Sequence, residues 1–172
     1  KLDMRRLLSK TGGLVRGSDQ LEYLEAAMGR AGIAYPGEVV RIIESGIGAG
    51  LLKSDDEFLT QTLETARNLV KQDQKNFAAD ESSARKAATG SEALVAGDVF
   101  LSYDMLPKAV EMYQLALQKG GIDADTANTR LGIAQAGQND FAAARESFSK
   151  VGAARKPVAT MWLAYIDSKS GM

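Results

Sequence analysis

Residues 46–54, GIGAGLLKS, bring glycines together with a lysine and a serine, the residue types with which a phosphate-binding loop cradles a nucleotide. That chemistry needs Gly, Lys and Ser/Thr adjacent after a buried strand, so that backbone amides and the ammonium converge on the phosphates. Here Leu51 and Leu52 separate Gly50 from Lys53, and helical spacing precedes the glycines, so they read as a helix C-cap. Residues 123–128, DADTAN, offer carboxylates at alternate positions as a calcium loop does. The loop's turn glycine is replaced by Asn128 and its final glutamate is missing, so Asp123 or Asp125 reads as an N-cap. Glu22 and Glu25 could do acid/base work, but the spacing indicates no second pair, and on an amphipathic surface helix such carboxylates are solvated. The chain has no histidine and no cysteine. Thiol nucleophiles, His-based triads, Cys/His zinc sites and disulfides are therefore excluded. The expectation is a non-enzyme with no catalytic residue, no cofactor and no metal.

The elements that carry these residues read as helices. Three prolines interrupt the chain and no apolar run alternates with period two, whereas spacings of three and four recur, as in Val39, Ile42, Ile43, Ile47 and in Leu59, Leu63, Ala66, Leu69, Val70. Glycines at 12–13, 32, 48, 50, 90, 120–121 and 152 punctuate the runs. The spacing predicts an all-α chain with helices over 3–10, 19–32, 37–48, 55–72, 75–89, 91–103, 107–119, 124–137, 141–151 and 157–168. Pro107 and Pro157 suit a first helical turn, where no N–H is needed. Ser54 or Asp55 would cap the helix that opens DEFLTQTL, and Asp140 the one that opens FAAAR. With 45% hydrophobic residues and a net charge of −1, the composition suits one soluble domain and gives no electrostatic reason to expect nucleic acid. The densest basic run, MRRLLSK, is read as a solvated helix face. No apolar stretch approaches the roughly 18 residues of a membrane span. Composition suits the periplasm and the cytoplasm equally. No signal peptide is visible; because the chain begins with Lys1 rather than Met, the natural N-terminus is expected to lie upstream, and a signal peptide or further units there stay open.

The helical runs repeat. Moved back by 35 residues, DFAAARESF (140–148) meets MLPKAVEMY: Phe141 falls on Leu106, Ala144 on Ala109, Phe148 on Tyr113, Val151 on Ala116 and Gly132 on Gly97. Small residues on both helices of a hairpin let the axes approach closely, and the bulky residue one turn on is expected to fill the gap towards the next hairpin. With these residues the chain resembles the tetratricopeptide repeat family, whose helical-hairpin unit is about 34 residues. GDVFLSYDMLPKAVEMYQLAL matches that pattern with Gly97, Phe100, Ala109, Tyr113, Ala116 and Leu117. LGIAQAGQNDFAAARESFSKV matches with Leu131, Gly132, Asp140, Phe141, Ala144 and Phe148, and departs at Gln135 and Val151. Trp162 stands where the family often places one, and packs rather than projects. The match is degenerate over 20–53, with Ala27, Val39, Ile43, Gly46 and Ile47, and absent over 54–89. That segment is read as a hairpin outside the repeat pattern, with one continuous helix as the open alternative.

The resemblance implies a right-handed superhelical solenoid of antiparallel helical hairpins. It divides the chain, a single all-α repeat domain over 1–172, into an N-terminal helix and loop (1–18), a degenerate repeat (20–53), the unmatched segment (54–89), repeats over 90–124 and 125–158, and a terminal helix (159–172). It also implies a concave face lined by first helices. The matching positions are Leu21, Leu24, Glu25 and Met28; Leu94, Val95, Asp98 and Leu101; and Thr129, Arg130 and Ile133. Such a mostly apolar groove would bind a partner helix or peptide, with no nucleic acid and no membrane span involved. Some family members clamp chaperone C-terminal carboxylates with several Lys, Asn and Arg; here only Arg130 falls at a suitable place. The alternative is a structural or self-association arm, or an accessory part of a larger protein whose catalytic region lies outside this chain. Self-association stays open.

Overall fold

The computed structural model describes residues 1–30 and 32–170. Among these, nine helices and no strand are present: α1 Leu2–Lys10, α2 Gly17–Met28, α3 Pro36–Gly48, α4 Glu57–Lys86, α5 Ser91–Ser102, α6 Leu106–Lys119, α7 Ala124–Gly137, α8 Phe141–Ser149 and α9 Lys156–Ser170. The fold is all-α, with helices packed against their neighbours in chain order. The expected helix 19–32 ends early, at Met28, because Gly29 adopts φ +79° and closes it. Residue 31, and residues 171 and 172 of the expected terminal segment, lie outside the described residues. Among the described residues no helix is long and apolar enough to cross a membrane.

The two helices expected over 55–72 and 75–89 are one, α4. No glycine or proline falls between Glu57 and Lys86, so no residue there breaks the backbone hydrogen-bond ladder. Its N-cap is Asp56, whose carboxylate accepts the Leu59 amide at 3.0 Å, and not Ser54 or Asp55. Pro107 in α6 and Pro157 in α9 stand in first turns as expected, and Pro36, one residue before the expected helix 37–48, opens α3. Asp123 caps α7 and Asp140 caps α8, each through its carboxylate. The glycines of 46–54 end α3, with the Leu51 and Leu52 amides both returning to the Gly46 carbonyl at 2.9 and 3.0 Å.

The chain divides into two compact units, Lys1–Asn76 and Phe77–Met172. In the first, Tyr23, Leu24 and Ala27 of α2, Val39, Ile42 and Ile43 of α3, and Leu59 and Ala66 of α4 form the core with Leu52. Helix α1 packs its Leu2 against this core, buries Leu7 and also joins through charge. The expectation that MRRLLSK is a solvated face fails at Arg6, which is buried. Its Nε and Nη2 donate to the two Glu38 oxygens at 2.9 and 2.7 Å, and Nη1 donates to Asp3 at 2.9 Å. The Tyr23 hydroxyl donates to the same Glu38 at 2.6 Å, and the Tyr35 ring lies 5.7 Å from the guanidinium carbon. Arginine's planar fork suits this two-point grip on a carboxylate. Burial, and then the Glu38 charge, push the Tyr23 phenol well above the usual tyrosine range. Arg5 pairs with Glu22, and Lys1 with Glu25 at 2.8 Å, so the two carboxylates considered for acid/base work each meet a cation from α1 or the residue before it.

In the second unit α5 pairs with α6 and α7 with α8, and α9 packs on α8 and α7. A Cβ at Gly97 would lie 2.6 Å from the Tyr113 ring, and one at Gly132 would lie 2.8 Å from the Phe148 ring. Ala109, Ala116 and Ala144 are fully buried. The rings therefore cover the glycine of their own hairpin rather than only filling the gap beyond it. Phe148 does both, since it also stacks on the buried Trp162 of α9 at 6.1 Å. The turns repeat bond for bond at the 35-residue shift. The amides of Tyr103, Asp104 and Met105 return to Val99, Leu101 and Phe100, and those of Gln138, Asn139 and Asp140 to Ala134, Ala136 and Gln135. Asp104 and Asn139 sit in the left-handed region at φ +57° and +62°, which Asp and Asn tolerate better than most residues.

Two expected outcomes test this packing. Ala109→Leu and Ala144→Leu should each lower stability by about 1–3 kcal/mol through overpacking, and the exposed change Glu146→Ala by under about 0.5 kcal/mol; equal melting temperatures for all three would contradict the close approach. Arg6→Ala should lower stability by about 3–5 kcal/mol, because it leaves Glu38 buried and uncompensated. Arg6→Met with Glu38→Leu should recover much of that loss in denaturant titration. A double variant less stable than the single would show that the pair does not act as a unit.

Candidate partner-binding grooves

Helix α2 exposes its flank at Leu21 and Glu25, one turn apart, while Leu24 on the adjacent row is buried in the core. The chain returns after α3, and the Asp56 cap starts α4 so that Phe58 stands beside that flank. Leu21, Leu24, Glu25, Met28, Gly29 and Phe58 line a groove of about 270 Å³. All four positions expected on α2 thus meet at one place. Leu24 forms the floor, Met28 is half-buried, and Leu21 and Phe58 are 44% and 55% exposed. Phe58 was not among the expected residues. Its signal is an aromatic lying off the stripe Leu59, Leu63, Ala66 that faces the core. The one charge lining the groove, Glu25, is held below the usual carboxylate range, chiefly by its hydrogen bond from Lys1.

In the second unit the expected positions divide. Leu101, Thr129 and Ile133 are buried and offer a partner no surface. Thr129 donates to the Asp125 carbonyl at 2.6 Å and accepts from Arg155 Nε at 3.1 Å. Asp98 accepts the Tyr113 hydroxyl at 2.8 Å and pairs with Arg130, so these two expected binding residues hold α5 to α7 through each other. Leu94 is half-buried. Val95 is 62% exposed and lines a groove of about 360 Å³ with Asp80, Ser83, Ser91, Glu92, Ala96 and Val99. A shift of 70 residues, twice 35, places Leu21 and Glu25 on Ser91 and Val95, which line the second groove.

Other charged groups pair within and between helices. Glu81 accepts from Lys108 and Arg85, both at 2.9 Å, and those bonds, Lys108 first, hold its carboxyl below the usual range. Among the described residues no group of three acidic side chains is placed to hold a metal ion. No family model matches the chain, and comparison with curated proteins and with solved structures gives no match.

Proposed function

We propose that the protein is a non-enzymatic interaction scaffold of the tetratricopeptide-repeat type, a solenoid of helical hairpins whose first helices present an apolar groove to a partner helix or peptide. The observation that carries this reading is the meeting of Leu21, Leu24, Glu25 and Met28 around one groove, with the Leu21 and Phe58 side chains exposed at its edge. Exposed apolar side chains around a concave apolar floor lose unfavourable hydration when a partner covers them. The 35-residue repetition of the hairpin turn and of the glycine–aromatic contact supports the repeat architecture. The burial of Leu101 and Ile133 favours the second reading, a structural or self-association arm, for that part of the chain.

A leucine-rich amphipathic helical peptide is a suitable probe. Leu21→Asp and Phe58→Asp should each abolish its binding while circular dichroism keeps the native helical content, and raising salt should change the affinity little. Unfolding of these variants would mark both residues as core and remove the groove. Sedimentation that shows self-association, lost in the same variants, would favour the arm instead. The carboxylate-clamp mode is expected to be absent, because Arg130 is engaged by Asp98. Calorimetric titration with an acidic peptide ending in a free carboxylate should give no heat of binding, and micromolar affinity that disappears with salt would contradict this.

A further inference from the structure

The groove beside Val95 has a charge pattern that the one beside Leu21 lacks. The C-terminal part of α4 runs antiparallel to α5 past residues 87–90, and the Phe77 ring meets Phe100 at 5.5 Å and Tyr103 at 5.0 Å. One turn further along α4 come Asp80 and then Ser83, facing Ser91, Glu92, Val95, Ala96 and Val99. The floor is apolar: Ala96 is buried, Val99 half-buried and Val95 exposed. The two charged residues that line it, Asp80 and Glu92, are both acidic and exposed, and neither forms an ion pair among the described residues. In the groove of the first unit, by contrast, Glu25 is paired with Lys1.

The antiparallel arrangement puts Asp80 at the Val99 end of the groove and Glu92 at the end near the connection. Glu92 and Val99 are separated by about 10 Å of helix, at roughly 1.5 Å per residue. We infer that this groove takes a basic amphipathic helix, with an apolar side chain set against Val95, Ala96 and Val99 and two Lys or Arg about two turns apart reaching Asp80 and Glu92. Helix-in-groove recognition places apolar anchors on one face of the guest, and that spacing sets the cations on either side of the anchor. Carboxylates without cations beside an apolar floor attract such a guest and repel an acidic one. This inference rests on the scaffold reading and adds the chemistry of the partner.

The test uses the full chain and two synthetic helical peptides of equal length with the same central leucines. One carries lysines two turns apart, and the other carries glutamates there. By fluorescence anisotropy at low salt, the lysine peptide should bind roughly tenfold or more tightly than the glutamate peptide, as expected for two exposed charge pairs, and the preference should shrink as salt rises. Asp80→Asn with Glu92→Gln should remove the preference, and Val95→Ser should weaken binding of the lysine peptide. Equal binding of both peptides, each weakened by Val95→Ser, would overturn the charge rule and leave the groove reading standing. Binding of neither peptide would overturn both for this groove.

Discussion

The close approach of paired helices at a glycine governs the second unit. At Gly97 and at Gly132 there is no room for a Cβ under the ring from the partner helix. Once the axes are that close, the facing positions must be small, and Ala109, Ala116 and Ala144 are buried without remainder. The ring over each glycine then has a fixed height, which sets what can lie beside it. The turn is fixed in the same way, since hairpins of equal depth need the same short connection. Asp104 and Asn139 supply its left-handed residue at equivalent positions.

Within that constraint the two hairpins differ by matched pairs. Tyr113 carries a hydroxyl and Asp98 receives it; at the equivalent positions Phe148 has none and Ile133 stands in place of the acid. Phe100 and Met112 are buried apolar side chains, whereas their counterparts Gln135 and Ser147 are buried and hydrogen-bonded to each other at 2.7 Å. A buried amide or hydroxyl without a partner is unfavourable by about 1–3 kcal/mol, so a polar replacement at one position requires one at the other. The departure at Gln135 is thus half of a pair.

The first unit is held differently. Beside the apolar contact of Leu2 with the core, Arg6 and Arg5 of α1 and Lys1 just before it each meet a carboxylate of α2 or α3. This arrangement uses Glu22, Glu25 and Glu38 in structure, and it leaves the groove beside Leu21 apolar in effect. In the second unit Glu92 of the equivalent flank and Asp80 of α4 form no ion pair among the described residues. The two grooves therefore differ in charge, and the proposed partner chemistry follows from that difference.

Helical periodicity, the proline and glycine positions and the 35-residue repetition in the sequence by themselves determined the all-α class, most helix positions, the Asp140 cap and a cap at Asp123 or Asp125, and the burial of Ala109, Ala144 and Trp162. These features depend on residues near in sequence or on a pattern that recurs, and both are visible in one dimension. Only the tertiary structure decided which positions on the first helices stay accessible. Leu101, Thr129 and Ile133 have the same periodicity as Leu21 and Val95, but whether another helix covers them depends on chain far away. The same reason hid the burial of Arg6. A guanidinium in a basic run reads as solvated until Glu38 and Tyr23, distant in sequence, fold around it. The continuity of α4 lay between these cases: nothing local breaks the helix, and the packing of Leu59 and Ala66 in the first core and of Phe77 on Phe100 in the second unit gives both of its ends tertiary support.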